Sequence, residues 1–403
     1  MSQPEEIAIS GYVKPGFEAV RHAFMENFTR RNELGAACCI YYQGEKVVDL
    51  WGGIRNKATG EAWQEDTMAL VFSTTKGLSA MAIALAHSRG WLDYDEYVCR
   101  YWSEFAQNGK ERITVRQLLA HQAGLFALDA LVDKKVVADL DSLADILAQQ
   151  KPAWEPGLYQ AYHAQSLGFY EGELLRRVDP QHRSLGQFFQ EEIAFPLGLD
   201  FYIRLPEEIP NSRLAPIVRC NPLLMLLYIN SMALLFASMN HQSPTYRAVF
   251  VNPGPWLPLD DERIYSRNLE VPSGGGVGTA RAIAYAYSVF ANGGQELGLR
   301  QLTLQALMAP PAAPQHGFYD QVVKKEMALS LGFMKPGRTY PFGNPGAFGA
   351  PGSGGSFGYA DPQARIGYAY VPNQMGAKMG GDPRDLALRQ AFLQSVDFLA
   401  KSR

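Results

Sequence analysis

Strand-forming runs lie at both ends of this chain, and a long, mostly helical stretch separates them. Residues 36–42 and 47–51 are β-type runs joined by Gln43-Gly44-Glu45, a hairpin signature. Near the other end, 327–334, 355–361 and 366–371 are further short β-type runs, with Asp361-Pro362 opening the turn between the last two. Open strand edges must be paired or covered, so the two sets are expected to meet in one antiparallel sheet. Helical patterns at 17–32, 73–89, 283–292 and 384–401 would flank it, and 126–270 is helical pattern broken by Pro-rich loops. The expected class is therefore α+β: an antiparallel sheet from N- and C-terminal segments with a helical domain inserted. The expected boundaries are 1–90 and 271–403 for the sheet domain and 91–270 for the helical one. The loop 342–356, rich in Gly, Pro and Phe, is read as a site-lining turn.

Composition narrows the function classes. With 403 residues, 47% apolar and 19% charged, the chain can fill a large core, which excludes a disordered protein. Net charge is −3 with no basic block, which argues against nucleic acid as a partner. The N-terminus lacks the charged and apolar regions of a secretory signal, so a cytoplasmic location is expected. The longest apolar run, 223–239, falls short of the ~20 residues of a spanning helix, and Asn230 and Ser231 interrupt it. It is read as a pocket-covering helix, and no membrane span is expected. The four cysteines, Cys38, Cys39, Cys99 and Cys220, form no metal-ligand pattern and are expected to be reduced thiols, without metal or organic cofactor.

Three motifs carry chemistry. Ser73-Thr74-Thr75-Lys76 is the chain's S-x-x-K, at the start of a long apolar helix. That spacing puts both side chains on one helix face, and a desolvated lysine can take the proton of a serine nucleophile. The plain alternative is a capping serine beside a solvated lysine. In Pro156-Gly157 through Tyr162-His163, a turn can aim a tyrosine into a cleft, where it can relay a proton. The third, 348–356, brings glycines and then a strand whose N–H groups can hold an oxyanion. Gly354 to Gly358 also fits the G-x-S-x-G elbow around Ser356, but no histidine follows it. Lys335-Pro336-Gly337 and Tyr228-Ile229-Asn230 imitate related motifs in the wrong places. His121 and His163 are expected to be structural.

In this order the motifs resemble those of the serine β-lactamase-like and penicillin-binding superfamily, most of all class C β-lactamases and family VIII carboxylesterases. The resemblance runs through 113–125, 156–178, 196–201, 278–294 and 352–373 and is weakest over 205–270. It implies a helical domain beside an α/β domain, with the active site in the groove between them. It makes Ser73 the acylated serine, Lys76 its partner and Tyr162 the family tyrosine. The N–H groups of Ser73 and Ser353 would form the oxyanion hole. Two positions depart from the pattern: Ala164 stands where the tyrosine motif often has Asn, and Ala350 where the third motif has Lys, His or Trp. Loss of a cation at 350 removes an anchor for a β-lactam carboxylate, which favours a small-molecule ester as substrate. Gly352, Phe126, Trp256 and the 223–239 helix are expected to line an apolar substrate pocket. A β-lactamase or peptidase, an acyltransferase and a non-catalytic binding protein stay open as alternatives, as does homo-oligomerisation.

Overall fold

The hairpin around Gln43-Gly44 forms, and its strands become the middle of the protein. The computed structural model describes residues 8–220, 232–252, 256–378 and 381–401. Strands β2 (Gly35–Tyr42) and β3 (Glu45–Asn56) turn through Gln43 and Gly44, both at positive φ (54° and 83°), the conformation a tight two-residue hairpin requires. β1 (Ile9–Val13) adds to β3, and the short β4 (Glu61–Ala62) pairs with the end of β3. The free edge of β2 takes β13 (Ile366–Pro372), with Ala369 opposite Cys39 and Tyr368 opposite Ile40. From β13 the sheet continues antiparallel through β12 (Phe357–Asp361), β11 (Phe348–Pro351), β10 (Phe333–Met334) and β9 (Leu329–Ser330). The two ends of the chain thus share one sheet, as their edges demand.

Period-two alternation sends neighbouring residues into different cores. Cys38, Ile40, Tyr368 and Tyr370 pack with Phe24 of α1 (Glu18–Arg30) and Phe392 of the C-terminal helix Pro383–Lys401. Cys39, Ala369 and Val371 belong to the core on the other face, with helices Thr75–Ser88 and Ala280–Ala291. Burial on both faces explains why 36–42 reads apolar without alternation. Gly367 permits the close approach of Ala280–Ala291: a Cβ there would stand 2.4 Å from the Ala284 carbonyl oxygen.

The middle of the chain supplies helices α3 (Val115–Leu119), α4 (Lys134–Ala138), α5 (Leu140–Gln149), α6 (Ser166–Val178), α7 (Leu185–Phe189), α8 (Phe195–Leu197), α9 (Met232–Met239) and α10 (Pro244–Val249). Helix α2 is Thr75–Ser88; α11, α12 and α13 are Ala280–Ala291, Gln301–Met308 and Pro383–Lys401. A small sheet, ordered β6 (Phe201–Tyr202), β8 (Val277–Gly278), β5 (Met68–Leu70), β7 (Leu214–Ala215), leads into the S-x-x-K turn.

Several expectations change. The run 327–334 is not one strand but the hairpin β9–β10, because Leu331 and Gly332 both adopt positive φ (51° and 83°) and reverse the chain. The loop 342–356 contains β11. Strand β1 gives no sequence signal, since its three central residues are exposed. Of the apolar run 223–239, residues 232–239 form α9; the rest, with Tyr228-Ile229-Asn230, lies outside the described residues. Cys38 and Cys39 are buried free thiols, and Cys99 and Cys220 are half-buried. No helix among the described residues is long and apolar enough to cross a membrane.

Candidate active site

Strand β5 leads into a single 3₁₀ turn, Phe72–Thr74, so Ser73 precedes α2 rather than lying within it. Phe72 has φ 46°, a strained conformation for a residue with a side chain. Hydrogen bonds hold it there: Val71 N–H donates to Gly276 O (2.9 Å), and Thr75 Oγ1 donates to Phe72 O (2.5 Å) while accepting Gly276 N–H (2.9 Å). Helix α2 is buried along its whole length, which carries Lys76 into the interior, 2% exposed. Its Nζ stands 3.3 Å from Ser73 Oγ, 2.7 Å from Ala164 O and 2.8 Å from Ser273 O. Burial pushes the Lys76 pKa down to about 7, and the negative charge of Glu171 acts in the opposite sense.

Tyr162 enters from the segment before α6. The Asp320 carboxylate pins that segment by accepting the amides of Tyr162, Val322 and Val323. The Tyr162 ring centre lies 5.0 Å from Lys76 Nζ, and its hydroxyl interacts with the Ser73 side chain. Burial pushes the tyrosine pKa up, partly offset by the bond to Ser73, so Tyr162 carries its proton at neutral pH. Beneath it are His121, ring to ring at 5.0 Å, and His163. His121 Nδ1 accepts the His163 amide (2.8 Å), and burial holds both imidazoles neutral, His163 down to about 3. They support Tyr162, and Tyr159 points elsewhere, stacked on His316 at 4.4 Å.

Ser353 closes the third side, in the turn Ser353–Gly355. Ser73, Tyr162 and Ser353 all line one cavity of about 150 Å³. Its other walls are mostly apolar, with Phe72, Leu234 of α9, Val249 of α10, Val271 and Val322, and none of its lining residues among those described carries a charge. Ser356 is not at the cavity: its buried hydroxyl donates to Val71 O (2.8 Å) and pairs with Thr74 Oγ1 (3.0 Å), tying the glycine-rich turn to the Ser73 turn.

Three expected pocket residues stand off the cavity wall. Gly352 packs against the Ser73 turn, where a Cβ would come 2.2 Å from Val71 O and 2.1 Å from Ser356 Oγ; its role is close packing rather than substrate contact. Phe126 is buried one layer back against Trp154 (5.1 Å), and Trp256 meets the outer side of Phe72 edge-on (6.2 Å) beneath the Arg219 guanidinium. Ala350 is buried in β11, facing Gly77 of α2. No sequence motif marks Ser273, whose carbonyl holds Lys76 and whose hydroxyl accepts the Gly168 amide (2.6 Å). The run Pro272-Ser273-Gly274-Gly275-Gly276 was its available signal. Nor does a motif mark Glu171, an acidic residue in the apolar stripe of α6.

Fold and site together define a β-lactamase-fold hydrolase. The sequence profile of the family described as Beta-lactamase matches residues 19–392, and the chain belongs to that family. It is 32% identical over 376 residues to the esterase/beta-lactamase LipL of Mycobacterium tuberculosis, covering 91% of this chain and 83% of LipL. Among solved structures, a family VIII carboxylesterase superposes with TM-score 0.83 at 35% identity, covering 96% of this chain and all (100%) of that one. A penicillin-binding protein homolog from Caulobacter crescentus superposes equally well, TM-score 0.83 at 34% identity over 96% and 100%.

Proposed function

We propose that the protein is a carboxylesterase that cleaves short-chain carboxylic esters through an acyl-enzyme on Ser73. Ser73 Oγ attacks the ester carbonyl and its proton passes to Lys76, whose free amine burial makes available near neutrality. Tyr162, held in its protonated form, gives its proton to the departing alkoxide and regains one from Lys76. The N–H groups of Ser73 and Ser353 face the oxyanion. Water then enters by the reverse proton path and releases the acid. The opposite shifts of Lys76 and Tyr162 support this division of roles. The domain division at 90 and 270 is part of the same proposal: Ser73 and Ser353 come from the outer segments, and Tyr162 and Leu234 from the inner one.

The observation that carries the ester assignment is the apolar cavity, with no cation among its described lining residues. Lys335 is buried and bonded to Leu307 O and Gly346 O, and Arg267 to Pro206 O and Asn211 Oδ1, so neither supports a carboxylate there. LipL is an esterase/beta-lactamase and the Caulobacter protein a penicillin-binding protein homolog, which makes a β-lactam the competing substrate. The test is a parallel assay of p-nitrophenyl esters, acetyl to hexanoyl, against a chromogenic cephalosporin, with fluorophosphonate labelling mapped by peptide mass. Esters should turn over clearly and the cephalosporin weakly, with label on Ser73 that persists in Ser356→Ala. A cephalosporin hydrolysed faster than the esters would reverse the substrate assignment, and label on Ser356 would reverse the mechanism.

A further inference from the structure

Glu171 lies in the inward stripe of α6 with Leu167, Leu174 and Leu175, all of them buried. Neither of its carboxylate oxygens has a hydrogen-bond partner among the described residues. Buried polar groups are nearly always paired, and an apolar residue of similar size would fill this place without desolvating a carboxyl. Gly332, in the β9–β10 turn, shows where the carboxylate lies. A Cβ on Gly332 would stand 2.9 Å from Glu171 Oε1 and 2.6 Å from Ala80 Cβ. The carboxylate and Ala80 therefore share the notch that this glycine leaves open. Ala80 follows Lys76 by one helical turn on the same face of α2, which puts the carboxylate beside α2 one turn along from the lysine's position.

We propose that Glu171 is a positioning residue for the reaction, acting only through Lys76 by setting how readily that lysine takes the Ser73 proton. The proposal rests on the acyl-enzyme reading above. An ionised Glu171 favours the Lys76 ammonium, and a protonated one releases the free amine. Burial opposes the charged form of each group, and each charge offsets part of the other's penalty. The titratable groups that feel Glu171 are Lys76 of α2, Tyr94 after α2 and Tyr162 before α6. The β9–β10 turn brings only Leu331 and Gly332. Burial keeps both tyrosines protonated, so Lys76 is the member of this set whose charge changes near neutrality.

The test follows the rate of fluorophosphonate inactivation at Ser73 against pH, with thermal unfolding in parallel. In the wild type the rate should rise with pH around 7. Glu171→Gln and Glu171→Met both remove the carboxylate that holds the proton on Lys76, so the acid limb should move down by about one pH unit. Glu171→Asp should keep a limb near that of the wild type. A limb unmoved in both the Gln and Met variants, whatever their stability, would overturn this proposal alone. Absence of Ser73 labelling in the wild type at every pH would overturn the acyl-enzyme reading and this proposal with it.

Discussion

Burial moves Lys76 and Tyr162 in opposite directions, because it opposes whichever form is charged. For the lysine that form is the ammonium, so the proton leaves at about pH 7; for the tyrosine it is the phenolate, so the proton stays. The sign of the pH dependence follows. Below about 7 Lys76 is an ammonium and cannot accept from Ser73, so kcat/KM for a neutral ester should fall about tenfold per pH unit on the acid side, measured over pH 5 to 9. Tyr162→Phe should lower kcat roughly 10²- to 10⁴-fold with KM little changed, and near-wild-type turnover would remove Tyr162 from the relay. Ser73 and Lys76 were marked as candidates by their spacing, and Tyr162 by the resemblance of its segment to a known family. The acceptors that hold Lys76 were not, because at Ala164 and Ser273 the groups in use are backbone carbonyls, which residue identity does not reveal.

At the scale of elements, the site depends on how closely the turn after β11 approaches the turn before α2. Gly352 and Ser356 make that contact, one by lacking a side chain and the other by a buried hydroxyl that bonds Val71 and Thr74. Gly352→Ala would drive a methyl group into Val71 O and push the Ser353 turn away from Ser73. Its kcat should drop about 10²- to 10³-fold, the scale of losing an oxyanion-hole donor, with a smaller change in KM and a lowered Tm. Full activity in this variant would mean that the Ser353 amide is not needed. The long strands β2, β3, β12 and β13 were readable from their apolar runs. β9 and β10 were not, since a two-residue strand has no period to detect. Gly352 was expected to line the substrate pocket, but what approaches it is the protein's own Val71 backbone and Ser356 hydroxyl.

At the scale of the whole molecule, Arg384 ties the two ends of the chain to the candidate site. Its guanidinium, 3% exposed, pairs with Glu33 (3.0 Å) just before β2 and with Asp382 (2.8 Å) ahead of α13. It also donates to Gln374 O (2.9 Å) and to Gly354 O (2.9 Å), within the turn that carries Ser353. Tyr370 of β13 adds its hydroxyl to Glu33. That the ends must meet was legible from the unpaired strand edges. This cluster was not, because Glu33 and Arg384 are 351 residues apart and no local pattern links them. Removing one partner from a buried charge network leaves the others desolvated and unpaired, at a cost of about 3–5 kcal/mol. Arg384→Met should therefore lose stability of that order in urea unfolding, since Glu33 and Asp382 both stay buried. It should also lower kcat at temperatures where the variant is still folded, because the Ser353 turn loses its tether at Gly354, while KM for a small neutral ester changes less. Stability lost with kcat intact would show that the turn is held by Gly352 and Ser356 alone. Loss of both would place the oxyanion geometry under the control of the same contact that closes the chain's ends onto one sheet.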